Sequence, residues 1–198
     1  MKEVQIIIGS TRPNRIGRQV AEWVSRGIAE AGAGAANFAA ELLDLAEWNL
    51  PFLDEPGVPA GGHYVHEHTR AWSRKIAGAD GFVFVTPQYN WGYPAALKNA
   101  LDHLFREWNG KPAVIVSYGY HGGGKAAAQL RQVLEGLRMR PAATMPAITF
   151  SHAMLAGDGR LRDTTEDFAC YADELARAAG ELAGLLGERG ERIAGAGS

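Results

Sequence analysis

The stretch Ala79-Asp80-Gly81-Phe82-Val83-Phe84-Val85-Thr86 constrains this chain more than any other. Its unbroken apolar run, with no polar alternation, reads as a strand buried on both faces, as in a parallel sheet covered by helices. Val4 to Ile8 has the same character, as does Ala113-Val114-Ile115-Val116 within a strand from Pro112 to Tyr118. Phe38 to Leu45 reads as a further strand, and Ala147 to Phe150 as the core of a short fifth. Apolar residues at helical spacing fill the gaps. Ile16, Val20, Trp23, Val24 and Ile28 form one such stripe, with Asn14 as its expected N-cap and Ala31–Gly34 as its stop. A helix is expected from about His63 to Ala77, with Val65, Trp72 and Ile76 inward. Another runs from Pro94, at the first helical position, to Trp108. A third covers Ala126 to Leu137, and a last one Thr164 to Leu186. Trp48–Gly62 and Ser151–Asp163 read as loops, and Gly187–Ser198 as a frayed end. Strands and helices alternate without an internal repeat or linker. The expected architecture is therefore one α/β domain, a doubly wound five-stranded parallel sheet with helices on both faces.

In such sheets ligands bind beyond the carboxyl ends of the strands, where strand order reverses. Three turns follow strands at that end: Gly9–Gly17, Pro87–Tyr93 and Tyr118–Gly124. The first, Gly9-Ser10-Thr11-Arg12-Pro13-Asn14-Arg15-Ile16-Gly17, joins a strand to a helix N-terminus, where free N–H groups and the helix dipole favour an anion. It is neither a Walker loop nor the Gly-x-Gly-x-x-Gly dinucleotide turn. Its hydroxyls and guanidinium groups suit a terminal phosphate, and a merely solvated surface turn is the competing reading. The second turn, Gln88-Tyr89-Asn90-Trp91, offers amides and aromatic rings to a flat heterocycle. Aromatics capping the core or a subunit interface are the alternative there.

The net charge of −2 provides no field for nucleic acid or an anionic membrane. No apolar run approaches the ~20 residues of a membrane span, and no signal peptide is read at Met1–Val4. The single cysteine, Cys170, is expected as a buried structural thiol in a reducing, cytoplasmic setting. His63, His66 and His68 surround Glu67 without the His-Glu-x-x-His zinc spacing, so no metal is expected. Lys98 and Asp102 are spaced as a helical ion pair.

The first turn, taken together with Thr86-Pro87-Gln88-Tyr89-Asn90-Trp91-Gly92-Tyr93-Pro94-Ala95-Ala96-Leu97-Lys98-Asn99-Ala100-Leu101-Asp102, resembles the NADPH-dependent FMN reductase family from Val4 to about Phe150. The glycine-rich third turn matches more loosely, and Gln88 stands where many members carry glutamate. The resemblance implies a flavodoxin-like fold, noncovalent FMN and NADPH or NADH as electron donor. It places Ser10, Arg12 and Arg15 on the FMN phosphate, with Ile16 and Gly17 closing the same turn. Pro87, Gln88, Tyr89 and Asn90 would border the isoalloxazine ring, largely through main-chain groups. Trp91 lies beside them as a stacking or packing group. Ser117, Tyr118, Gly119 and Gly122 would approach the ring from the third turn, and His121 would meet nicotinamide or solvent. The implied reaction is a ping-pong transfer of hydride from NAD(P)H to the flavin and on to a flavin, quinone, azo compound or metal ion. No catalytic side chain is required. The implied assembly is a homodimer or homotetramer, with the Pro94–Trp108 helix as candidate interface. A flavodoxin-type electron carrier and a non-catalytic flavin-binding regulatory protein are the competing readings; near-neutral charge and two arginines in the phosphate turn count against the carrier.

Overall fold

A computed structural model describes residues 1–31 and 38–195. Its strands are β1 (Lys2–Ile8), β2 (Phe38–Asp44), β3 (Gly81–Pro87), β4 (Pro112–Gly119), β5 (Arg140–Pro141) and β6 (Ala147–Thr149). Its helices are α1 (Gly17–Ala31), α2 (Leu45–Trp48), α3 (Glu67–Gly78), α4 (Ala95–Asp102), α5 (Gly124–Gly136), α6 (Thr164–Asp167) and α7 (Ala172–Gly195). The strands pair in parallel in the order β2-β1-β3-β4-β5, and β6 also pairs with β4. This is the covered parallel sheet that the apolar runs predict, in the flavodoxin-like order that the family resemblance implies.

Residue alternation along the central strands explains why both faces are covered. Val83, Val85, Val114 and Val116 pack with Val20, Val24 and Ile28 of α1 and Leu175, Ala179 and Leu182 of α7. Phe82, Phe84 and Ile115 point the other way, onto Trp72 and Ile76 of α3, Leu97 and Leu101 of α4, and Leu130 and Leu134 of α5.

Several boundaries differ from expectation. The fifth strand is split. β5 pairs with Pro112 and Ala113 of β4, whereas β6 pairs with Ser117 to Gly119. Pro141 and Pro146 lack ladder donors. Between them Thr144 turns away, giving its N–H and hydroxyl to the Glu181 carboxylate of α7. The first helix begins at Gly17, so Asn14 sits in the preceding turn rather than at the cap; from residue 32 on, the expected stop at Ala31–Gly34 lies outside the described residues. Helix α3 begins at Glu67, because the Glu55 carboxylate accepts the N–H groups of Val65 and His66 and holds that segment extended; Val65 is exposed. Pro94 is an N-cap, and α4 ends at Asp102, short of Trp108. Its final carbonyls are taken from outside the helix: Ala100 by the Trp72 indole N–H, Leu101 by that of Trp108. The last helical region is divided into α6, a 3-10 turn at Ala169–Tyr171 and α7, which continues past Leu186. Cys170 is exposed in that turn, contrary to the expectation of a buried thiol.

Candidate active site

Strands β1 and β3 are neighbours, while β2 lies beyond β1 and β4 beyond β3. Strand order reverses between β1 and β3, and the first two turns leave from their carboxyl ends. Gly9 donates its N–H to Val85 O at 2.9 Å, which joins the start of the first turn to β3. A Cβ at Gly9 would lie 3.0 Å from Leu97 Cδ2, so a bare backbone suits this approach.

The first turn carries a set of buried polar atoms. Ser10 is fully buried, and its hydroxyl pairs with Tyr89 Oη at 2.6 Å. Tyr118 is 3% exposed, and its Oη has no hydrogen-bond partner among the described residues. That phenol lies over the start of α1: a Cβ on Gly17 would meet Tyr118 Oη at 2.6 Å. Burial, and next to it the neighbouring Tyr89 phenol, push the Tyr118 phenol well above its ordinary pKa, against smaller downward pulls from the Ser10 hydroxyl and the guanidinium groups of Arg15 and Arg12. It therefore remains a neutral donor.

The two arginines differ. Arg15 Nη2 binds the buried Asp44 carboxylate at 2.6 Å, at the end of β2. This departs from a guanidinium held wholly for phosphate; its Nε is nevertheless buried without a partner. Arg12 is exposed, forms no ion pair among the described residues, and stacks its guanidinium 5.8 Å from the Tyr89 ring centroid.

The second turn is a tight hairpin in which Tyr89 and Gly92 exchange backbone hydrogen bonds of 2.8 and 3.0 Å. Asn90 and Trp91 have φ of 47° and 74°, the left-handed values that a type I′ turn demands at both central positions. Asn accepts this readily; a tryptophan there is strained, a cost that tends to accumulate at functional sites. Gln88 gives its N–H to Tyr118 O, and Tyr89 gives its own to Gly92 O, so neither is a free main-chain donor. The Gln88 side chain accepts the N–H of Ala126 in the first turn of α5, at 3.2 Å.

A cavity of about 230 Å³ opens among these turns. Of the residues anticipated from sequence, Arg12, Arg15, Ile16, Pro87, Gln88, Tyr89, Tyr118 and Gly119 line it. Ser10 and Gly17 lie just behind, in the turn itself. Asn90 and Trp91 face a neighbouring pocket of about 500 Å³ with Gln88, His121, Gly124 and Lys125. There Lys125 Nζ sits 3.0 Å from the Trp91 ring centroid. Ser117 and Gly122 do not line the cavity: the Ser117 hydroxyl is buried and donates to Gly122 O at 2.9 Å, which braces the third turn from below. Gly122 has φ of 74°, and a Cβ there would crowd Ala147 O.

Sequence reasoning missed one wall. Tyr120, Phe150, Leu155 and Gly159 complete the cavity, with Asn14 at its rim. The Tyr120 ring packs 4.5 Å from Phe150 and 4.8 Å from His152. Phe150 directly follows the carboxyl end of β6, so the rule that sites gather at carboxyl strand ends pointed to it. Leu155 and Gly159 belong to a loop folded back on itself by the Leu155–Leu161 bridge. Gln19 of α1 clamps that loop with bonds to and from Leu161, a pairing 142 residues apart.

Residues 2–153 match the family described as NADPH-dependent FMN reductase. The chain belongs to this family. An NAD(P)H-dependent FMN reductase of Schizosaccharomyces pombe is 50% identical over 192 residues, covering 96% of this chain and 93% of that protein. A quinone reductase of Pseudomonas putida is 30% identical, covering 87% and 92% of the two chains. In fold, an oxidoreductase from Corynebacterium diphtheriae aligns with a TM-score of 0.71 at 23% identity, over 95% of this chain and 98% of the other.

The cavity fits the cofactor of the family name on structural grounds. Tyr118 Oη and Arg15 Nε are buried donors without partners, beside the α1 N-terminus and the Ser10 hydroxyl. An anion there would give the two unpartnered donors an acceptor. The aromatic and apolar groups Tyr89, Tyr120, Phe150 and Leu155 suit a flat ring beyond it.

Proposed function

We propose that the chain is an FMN-dependent NAD(P)H oxidoreductase whose acceptors include quinones. When bound, FMN supplies the redox chemistry, taking hydride from NAD(P)H and passing electrons to the acceptor. The protein holds, orients and shields. Arg12, Arg15 Nε, Tyr118 Oη, Ser10 and the first N–H groups of α1 take the phosphate. Pro87, Gln88, Tyr89 and Gly119 border the ring, and Tyr120, Phe150 and Leu155 exclude water from its far side. Gln88, fixed on the α5 N-terminus, keeps a neutral amide at the ring edge. The pocket of Trp91, His121 and Lys125 is the proposed approach for the nicotinamide dinucleotide, with Lys125 as the cation for its phosphates. No side chain needs to act as general base for hydride transfer.

The buried, unpartnered Tyr118 hydroxyl at the foot of α1 carries the reading, because a phenol so placed is costly without a ligand acceptor. The relatives named FMN reductase and quinone reductase support the same class of reaction, and none of them favours an electron carrier or a silent flavin binder. The test is steady-state oxidation of NADPH and of NADH by FMN-loaded protein with benzoquinone, beside FMN-free protein. Turnover that requires FMN is expected; equal rates in both preparations contradict the assignment.

The reading includes a homodimer, which can pair further into a tetramer. Phe52, 82% exposed, and Val58, 76% exposed, stand on the segment that Asn99 of α4 fastens through bonds with Pro51 O and Leu53 N–H. This apolar surface extends the α4 interface anticipated from sequence. A cytoplasmic location is part of the same proposal, supported by the exposed, unpaired Cys170, which suits a reducing compartment. No described helix is long and apolar enough to cross a membrane.

A further inference from the structure

Away from the cavity, three side chains far apart in sequence converge. Asp54 comes from the segment before α3, His68 from the first turn of α3, and His103 from the residue after α4. Each brings a carboxylate oxygen or ring nitrogen to within 4.8 Å of the other two. His68 Nε2 already lies 2.9 Å from Asp54 Oδ1. The His68 ring stacks on His66 and meets His103 edge-on at a centroid distance of 6.1 Å.

His103 is the decisive member. It is fully buried, and its Nδ1 is 2.8 Å from the Asn99 carbonyl, which can only accept. In the neutral ring the proton is therefore on Nδ1, which leaves a lone pair on Nε2. That buried nitrogen has no hydrogen-bond partner among the described residues. A metal-ligating imidazole is commonly set up in this way, with its other nitrogen donating to a backbone carbonyl.

We propose that Asp54, His68 and His103 bind one divalent transition metal ion of the zinc class. Two imidazoles and one carboxylate with an open solvent side are a zinc-type donor set and a poor match for calcium or magnesium. A tetrahedral ion with bonds of about 2.0–2.1 Å separates its ligand atoms by roughly 3.3 Å, so side-chain movements of about an ångström close the site. The ion takes the position of the His68 Nε2 proton between the ring and Asp54. A neutral His68 then carries its proton on Nδ1; a protonated one releases one proton to solvent. The exposed side of Asp54 leaves the fourth position to water. The consequence is structural: the ion ties the Pro51–Glu55 segment to α3 and to the end of α4. That segment is partly set in advance, because the Glu55 carboxylate holds the N–H groups of Val65 and His66. The sequence cluster His63, His66, His68 contributes only His68; its partners lie 14 residues before it and, at His103, beyond α4.

The test uses untagged, FMN-loaded protein, stripped with a chelator and titrated with Zn²⁺ by calorimetry and with Co²⁺ by visible absorption. One ion per chain is expected, with a rise in melting temperature and a Co²⁺ spectrum showing nitrogen and oxygen ligands. Asp54→Asn and His68→Gln each weaken binding at least tenfold, whereas His63→Gln leaves it unchanged. His103→Gln abolishes binding; should this core variant not fold, the exposed Asp54→Asn decides. Absence of saturable binding by the unaltered protein, or binding undiminished in Asp54→Asn and His68→Gln, overturns the proposal.

Discussion

The Tyr118 hydroxyl separates binding from folding. Without a hydrogen-bond partner among the described residues it adds nothing favourable to the apoprotein, whereas the proposed FMN phosphate would give it an acceptor. Tyr118→Phe is expected to weaken FMN binding by about 5- to 20-fold, the loss of one hydrogen bond to a charged group. Urea unfolding of the apoprotein should show unchanged or slightly higher stability in the same variant. The arginines divide differently. Arg12→Ala should lower FMN affinity with little effect on apoprotein stability, since no carboxylate depends on it among the described residues. Arg15→Ala should lower both, because it also removes the closest ion-pair partner of the buried Asp44. Flavin fluorescence quenching and urea titration of both variants check this contrast; equal stability loss in the two would contradict it. These individual roles were only half legible in sequence. Two arginines three positions apart look alike there, and Asp44, 29 residues on, decides which one is committed.

Turns and strands were legible where local chemistry governs them. The apolar runs of β1, β3 and β4 have no stable placement other than a covered parallel sheet, and the three turns at their carboxyl ends follow from that. Elements whose limits are set by distant partners were not. Nothing local in Pro94–Trp108 stops the helix at Asp102; the indoles of Trp72 and Trp108 take its last carbonyls. Nothing in Ser151–Asp163 announces a cavity wall; Gln19 makes it one. The same applies to the Thr144–Glu181 contact that interrupts the fifth strand. There the Thr144 hydroxyl and N–H hold the Glu181 carboxyl below its usual value of 4.5, against some desolvation. A depressed carboxylate stabilises the fold above its unfolded pKa, and that contribution disappears as pH falls through the lower folded value. Thermal melts should therefore show Glu181→Gln less stable than wild type at neutral pH, with the gap closing below about pH 4.5. A gap that is constant with pH would contradict the role of the charge. Gln88 belongs to this scale as well: Gln88→Ala frees the Ala126 N–H at the start of α5 and should cost about 1 kcal/mol, measured by urea unfolding.

At the scale of the whole molecule, two covered faces leave the loop end of the sheet for the proposed chemistry, and the exposed Phe52 and Val58 mark the surface proposed for assembly. Phe52→Asp is expected to convert the assembly to monomers by light scattering, with FMN still bound, since Phe52 is not among the residues lining the cavity. An unchanged assembly would move the interface elsewhere. The fold and the three turns that meet at the cavity were readable in the sequence, because strand ends and their turns are adjacent in sequence. The cavity wall of Tyr120, Phe150 and Leu155 and the exposed surface at Phe52 and Val58 depend on how distant segments return to the sheet. The most direct measurement of the central claim is an anaerobic titration of the purified, FMN-loaded protein with NADPH and with NADH, followed by addition of benzoquinone. Loss of the flavin's visible absorbance with at least one nicotinamide at one equivalent per site, and full recovery on adding the quinone, is predicted. A yellow protein that neither nicotinamide bleaches would contradict it.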